Sequence, residues 1–485
     1  MRLDWKKTLL IGFGFLASSL AWSLYNSLVP VMLENRFGLS TMLIGTIMAI
    51  DNFFGVVFQP LVGILSDHTK TRFGRRMPWI LIGLPLSAAA FFFIPRAQSL
   101  GIMMAVIILF NFLMSVWRSP VIALMPDVTP RPLRSKANGI INLMGGIGSI
   151  IAFFVGGRLA VADKSNGLSF LMGSAVMIVS LVVLVLFVRE PVAAHVSLPR
   201  RQKQQRSTLA SIRSTLLSLG PGELKSLVLL LAAIFFWFAG YNAIETFFTL
   251  YITNIHGLLA GDATQMLTLF SLTFVGFAFP AGIIGSRIGR KRTILIGLIG
   301  LIACFIPFIF LENLLLLRIL LALGGIFWAC ININSLPMVV ELASDSKVGS
   351  FTGYYYFASF SAAILSPILF GFIRDLTKNY SILMVYACGA FALALLAVAF
   401  VRHGEAAPPG SLRPSSRDAS SGRSGSTGGE TVSRRPSRSE NCKTSHPGRI
   451  VLQTDRTAAR ARPTVTVTAK SAGSWPAPCR AVPTT

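Results

Sequence analysis

Apolar runs of about 20 residues, the length that crosses a hydrocarbon core, recur along the chain between short polar or basic segments. The pattern predicts twelve spans, near 8–30, 41–65, 78–95, 100–124, 137–159 and 168–188, then near 226–251, 264–285, 293–311, 313–337, 351–373 and 380–401. The first run, from Thr8 to Val29, exceeds the apolar part of a signal peptide and lacks a small-residue cleavage site, so it reads as a span. Between the sixth and seventh spans the chain turns polar and basic, with Arg200, Arg201, Lys203, Arg206 and Arg213. After Gly404 it becomes a Ser-, Arg-, Pro-, Thr- and Gly-rich stretch without periodicity, which cannot bury a core and predicts a disordered tail, either passive or regulatory and lipid-touching. The predicted organisation is an all-α integral membrane protein: a six-helix bundle over 1–190, a basic linker over 191–225, a second bundle over 226–403 and a tail over 404–485.

Composition and charge narrow the class. Hydrophobic residues make up 53% of the 485 and charged residues 13%, too few to cover a soluble surface of that size. The net charge of +25 invites a nucleic-acid reading, but the basic residues sit at span ends and in the tail, and no aromatic–basic strip accompanies them. They set orientation and touch anionic lipid instead. Alternate loops carry Lys70, Arg72, Arg75 and Arg76, then Arg131, Arg134 and Lys136, then the linker cluster, then Arg287, Arg290, Lys291 and Arg292. By the positive-inside rule both termini and the linker are cytoplasmic, in a protein of the cell membrane.

Catalytic and cofactor chemistry find no support. Cys304, Cys330 and Cys388 lie inside spans, Cys442 and Cys479 in the tail, and none forms a metal or disulfide pattern. The five histidines fall in loops or the tail, and no phosphate-binding loop is present. The sequence therefore implies no enzyme, cofactor, metal or protein partner, and movement driven by a gradient.

The two halves repeat each other. Trp22, Tyr25 and Asn26 in span one match Trp237, Tyr241 and Asn242 in span seven; Asp127 to Gly139 has the spacing of Glu341 to Gly353; Gly63 matches Gly282. All the offsets fall near 215 residues. Parallel repeats of this kind build transporters whose substrate lies between the halves at mid-membrane.

One loop carries a signature. Gly63-Ile64-Leu65-Ser66-Asp67, followed by Arg72-Phe73-Gly74-Arg75-Arg76-Met77-Pro78, resembles the loop between spans two and three of the major facilitator superfamily. The form is the lengthened one of sucrose/maltose carriers and glycoside–pentoside–hexuronide cation symporters. Six residues, His68 to Phe73, separate acid from glycine here, while Ser286 to Lys291 keeps the common short form. The stretch from Trp117 through Asp127 to Gly148 also resembles the sugar carriers, and the likeness extends over residues 5–402. It implies the twelve-helix major facilitator fold and alternating access. Physically, Gly63 permits close helix approach, and Asp67 is placed to face the positive N-terminus of span eleven, a latch that breaks as the halves rock. Gly74, Arg75, Arg76, Asp127, Arg134 and Glu341 complete this gating set, with Arg75 and Arg76 expected to pair with Asp127.

Ionisable residues inside spans are costly and point to function. Asp51, mid-span two, is the expected coupling-cation site, with a proton favoured over sodium because a sodium cage needs several oxygens. Glu245 in span seven and Arg318 in span ten, placed at similar depth, are expected to pair. Arg118 and Asn111 share a face of span four; plant-type sucrose carriers place an acid at Asn111 and an arginine at Ile122, so their coupling scheme does not transfer. A sugar needs a flat apolar surface for its C–H face and amide or carboxylate partners for its hydroxyls. Trp22, Tyr25, Asn26, Asn111, Trp117, Arg118, Trp237, Tyr241, Asn242, Glu245, Trp328 and Asn332, on spans one, four, seven and ten, form the expected contact set. Asn138, Asn142 and Tyr354 to Tyr356 are explained by interhelical hydrogen bonds. The expected function is symport of a disaccharide such as sucrose or maltose with a proton. The alternatives are export of drugs or organic ions, and a transporter-like sugar receptor.

Overall fold

A computed structural model describes residues 4–130, 133–188, 190, 220–342 and 348–402. The chain divides into two units, Met1–Ser411 and Leu412–Thr485. The tail over 404–485 and nearly all of the linker, residues 191–219, lie outside the described residues.

Twelve described helices are long and apolar enough to cross a membrane: α1 Trp5–Phe37, α2 Thr41–His68, α3 Met77–Arg96, α4 Leu100–Val128, α5 Lys136–Ala162, α6 Gly167–Phe187, α7 Pro221–His256, α8 Ala260–Ile288, α9 Arg290–Ile309, α10 Leu314–Val340, α11 Val348–Thr377 and α12 Ile382–Ala399. Local chemistry sets their ends. Asp4, Ser40, Ser99 and Asn313 each accept a first-turn N–H at the start of α1, α2, α4 and α10, satisfying donors that a helix start leaves open. α1 and α7 stop at Gly38 and Gly257, whose φ of 60° and 66° suits glycine. Helix α7 begins at Pro221, within the stretch expected to be linker; proline at the first helical position costs no hydrogen bond. One feature had no sequence signal: α5 widens into a π-helical turn over Ala152–Gly156.

Packing repeats from half to half. In the first, α1 lies on α5 and α6, α4 on α2 and α3, and α3 on α6; in the second, α7 lies on α11 and α12, α10 on α8 and α9, and α9 on α12. The halves meet through α2 with α11, α5 with α8, and α1 with α7. We call the end bearing the α2–α3 and α8–α9 loops the basic side.

Among the described residues, the closest backbone approaches between the halves lie away from the basic side. A Cβ on Gly45 would lie 2.2 Å from the Pro367 carbonyl oxygen, and one on Gly371 2.5 Å from that of Thr41. Across the bundle, Gly157 and Gly261 face each other's carbonyls in the same way. Asp375 of α11 accepts the backbone N–H groups of Thr41 and Met42, at 2.9 and 2.8 Å, capping α2 of the other half. Glu34 of α1 adds Tyr380 at 2.9 Å, Asn254 at 3.2 Å and Arg374 at 3.5 Å. Burial raises the Tyr380 phenol well above its ordinary pKa, so it remains a donor to Glu34. Toward the basic side, a Cβ on Gly139 of the cavity wall, or on Gly349 or Gly353 in the first turns of α11, would meet nothing within 4 Å. The structure is therefore closed on the far side and open on the basic one.

Within a half, close approach is permanent. A Cβ on Gly148 would lie 2.3 Å from the Leu16 carbonyl oxygen, a backbone atom that cannot swing aside. Gly148→Val is expected to cost about 1–3 kcal/mol by overpacking. It should lower the thermal midpoint of the detergent-purified protein, whereas Gly139→Val should not.

Candidate functional site

A cavity of about 850 Å³ lies between the halves, its wall running from Glu245 and Tyr241 to Asn138, Gly139 and Phe279 toward the basic side. Residues four apart share a helix face, and each wall uses such a pair. Helix α1 presents Ser19 and Ser23, α5 presents Asn138 and Asn142, α7 presents Tyr241 and Glu245, and α10 presents Trp328 and Asn332. Arg118 of α4, Ser149 of α5 and Ser271 of α8 add to the polar lining. The Tyr241 and Trp328 rings stack 4.3 Å apart and 1° from parallel, with Phe238 edge-on to Trp328. A flat aromatic pair thus stands within one turn of a carboxylate and an amide.

Five of the expected contact residues, Arg118, Tyr241, Glu245, Trp328 and Asn332, line this cavity. Four others sit just behind it. Trp22 meets Tyr25 edge-on, Asn111 donates to the Tyr25 hydroxyl at 3.4 Å, and Asn26 donates to Glu245 across the halves at 3.4 Å. The Trp22 indole N–H and the Asn111 amide oxygen are buried without a partner. Asp51 belongs to this group: Asn52 donates to its carboxylate through both backbone and side chain, at 2.5 and 2.7 Å, and its charge interacts with Glu245 and Arg118.

The remaining expectations are corrected. Trp117 and Trp237 are wholly buried and neither lines the cavity; Trp117 donates to Ser87 at 3.1 Å and packs beneath Gly83, so both fill helix interfaces. Asn242 donates to the Phe238 carbonyl of its own helix. Glu245 and Arg318 do not pair. Glu245 lies eleven residues inside the far end of α7 and Arg318 only four residues inside that of α10, roughly 16 and 6 Å at 1.5 Å per residue. Arg318 is exposed there. Conversely, Asn138 and Asn142 face the cavity, where interhelical bonding had been expected to account for them.

The basic loops form two related clusters. Arg76, 4% exposed, holds Asp67 and Ser66, and reaches Asp127 at 3.0 Å and the Gly63 carbonyl at 3.2 Å. Arg75 joins Asp127 at 2.6 Å. Glu190, which sequence reasoning missed, accepts the Arg76 N–H at 2.9 Å beside Arg75. Gly74, at φ +103°, leaves room for it: a Cβ there would lie 2.2 Å from the Glu190 carboxylate. In the second half Arg290 pairs with Glu341 at 2.6 Å. Arg134 caps the end of α4 through the carbonyls of Pro126 and Thr129. The expected Asp67 contact with the start of α11 is absent among the described residues, because the basic side is open and Arg76 holds Asp67 within its own half.

The sequence profile of the Major Facilitator Superfamily matches residues 11–265 and 252–466. The chain belongs to the major facilitator superfamily. It is 21% identical over 321 residues to the isoprimeverose transporter of Lactiplantibacillus pentosus, covering 61% of this chain and 62% of that protein. It is 23% identical over 376 residues to the class H tetracycline resistance protein of Pasteurella multocida, covering 74% and 86%. Among solved structures, a point mutant of the nucleoside transporter NupG superposes with a TM-score of 0.66 at 17% identity, over 82% of this chain and all of that one. The chain is thus a membrane transporter and not an enzyme, with the superfamily's two six-helix halves.

Proposed function

We propose that this transporter carries a glycoside, a disaccharide such as sucrose or maltose, in symport with a proton, and that it sits in the cell membrane with both termini cytoplasmic. The observation that carries the reading is the stacked Tyr241–Trp328 pair beside Glu245 and Asn332. Such a surface suits the C–H face of a sugar while amide and carboxylate take its hydroxyls. The isoprimeverose transporter adds support from outside the site. Asp51 is the proposed coupling residue, a carboxylate in mid-membrane that exchanges a proton as the halves rock. A drug-exporter reading is favoured by the tetracycline relative and by the phenylalanines Phe270, Phe274 and Phe305 in the same wall.

The test is uptake of labelled sucrose and maltose by cells expressing the chain, with and without a protonophore. Concentrative uptake should collapse with protonophore, and in Asp51→Asn internal sugar should rise only to the external level. Uptake indifferent to both would rule out proton coupling at Asp51. No sugar flux from protein shown to reach the membrane, together with efflux of a tetracycline, would favour the exporter.

A further inference from the structure

Charge accounting in the cavity adds a residue to this scheme. Among the cavity's lining residues the charged side chains are Arg118, from the first half, and Glu245, from the second. Asp51 stands close enough to interact with both. No ion pair among the described residues involves any of the three. Two carboxylates therefore share one guanidinium. With both ionised the group carries a net negative charge in a membrane interior, and one proton neutralises it. The other titratable groups facing it are the hydroxyls of Tyr25 and Tyr241, which interact with Asp51 and Glu245 respectively; neither supplies positive charge.

The two acids are not equally solvated. Asp51 accepts two hydrogen bonds from Asn52, its neighbour on α2, and these travel with the helix. Glu245 accepts one long bond, from Asn26 on α1 of the opposite half. Any motion that parts α1 from α7 removes that donor and makes the Glu245 anion costlier. A carboxylate that has a protein donor in one state only has a proton affinity tied to the state, which is what coupling requires.

We infer that Glu245 is a second proton-binding residue, sharing one transported proton with Asp51 across the interface between the halves. The inference rests on the proton-symport reading, and two measurements separate its failure from that of the reading. Proteoliposomes holding the full chain are given a sucrose gradient, and the protons moved per sugar are recorded with a pH dye. Wild type should move protons with sugar; if it moves sugar without them, the symport reading fails. Glu245→Gln keeps the shape and a hydrogen-bonding oxygen but cannot titrate, so whatever sugar flux remains should carry no proton, while Glu245→Asp should restore coupling. A wild-type ratio in Glu245→Gln would overturn the inference and leave the function standing. The second measurement needs no flux: infrared difference spectra of purified protein between acid and alkaline pH. A buried-carboxyl band should weaken in Glu245→Gln and again in the double variant with Asp51→Asn. A band unchanged by Glu245→Gln would overturn the inference whether or not the variant transports.

Discussion

Gly45→Leu should hold the transporter open on the far side and abolish turnover. The side chain would start 2.2 Å from the Pro367 carbonyl oxygen, a backbone atom in a packed helix that cannot yield as a side-chain tip would. That clash exists only when α2 and α11 touch, so it penalises the far-closed state and leaves the far-open state alone. Overpacking of this kind costs about 1–3 kcal/mol, which moves a two-state equilibrium roughly 5- to 150-fold. Gly371→Leu should act alike, since its side chain would start 2.5 Å from the Thr41 carbonyl. Asp375→Asn should shift the balance the same way by less, because it weakens the charge on the α2 N-terminus without adding bulk. The measurement is labelling of Ser271→Cys, a cavity position, in a background with the five native cysteines replaced. A membrane-impermeant thiol reagent added outside the cell should modify it several-fold faster in Gly45→Leu, with sugar uptake lost. Unchanged labelling with normal uptake would mean that the α2–α11 contact does not close the far side.

This contact also explains what the sequence could not display. The spans themselves were legible, because 20-residue apolar runs between basic loops have no other stable arrangement in a membrane. So was the repeat: Asp127 and Glu341, matched by spacing alone, each hold an arginine of the loop beside them, Arg76 and Arg290. Half of the site was legible too. Tyr241 with Glu245 and Trp328 with Asn332 are four apart in otherwise apolar helices, so each pair had to share a face. Which face looks into the cavity is decided by neighbouring helices, and there the reading failed. Trp22, Trp117, Trp237, Trp328 and their polar neighbours look alike in sequence, yet Trp117 and Trp237 serve the core and Trp328 the cavity. Arg318 failed on depth, since α7 runs on to His256, five residues past its predicted end, and carries Glu245 deeper than Arg318, while α10 begins at Leu314 close to its predicted start. Glu190 escaped notice because it borders a basic linker, where one acid looks like noise; its partner is a backbone N–H that only the folded loop presents.

The repeat has a further consequence for how the two sides alternate. On the far side an acid at the end of α11, Asp375, caps the start of α2. On the basic side the acid at the end of α2 is Asp67, and the same relation would set it against the start of α11. In the open state Arg76 holds Asp67 instead, so closing the basic side requires Asp67 to share or leave that arginine. The half-exposed position of Asp67, at 47% of its side chain, suits such an exchange, whereas Asp127 at 17% stays with its arginines.

Arg76→Ala should therefore damage the protein on two counts. Arg76 is buried and satisfies Asp67, Asp127, Ser66 and the Gly63 carbonyl together. Asp67 is half-exposed, so water can take over there, and the loss is that of the buried hydrogen bonds to Asp127, Ser66 and the Gly63 carbonyl, about 1–3 kcal/mol. Arg75 still reaches Asp127 at 2.6 Å, which places the expected loss toward the lower end of that range. The thermal midpoint of purified Arg76→Ala should fall by several degrees, and uptake should drop by an order of magnitude or more. Arg76→Lys keeps the charge but cannot reach four acceptors with a single ammonium group, so it should recover part of the stability and less of the transport. If Lys restored both in full, Arg76 would act as a simple charge and the alternation of Asp67 between two partners would lose its support. If Arg76→Ala were as stable as wild type, the cluster would be a surface arrangement of little energetic weight, whatever its geometry.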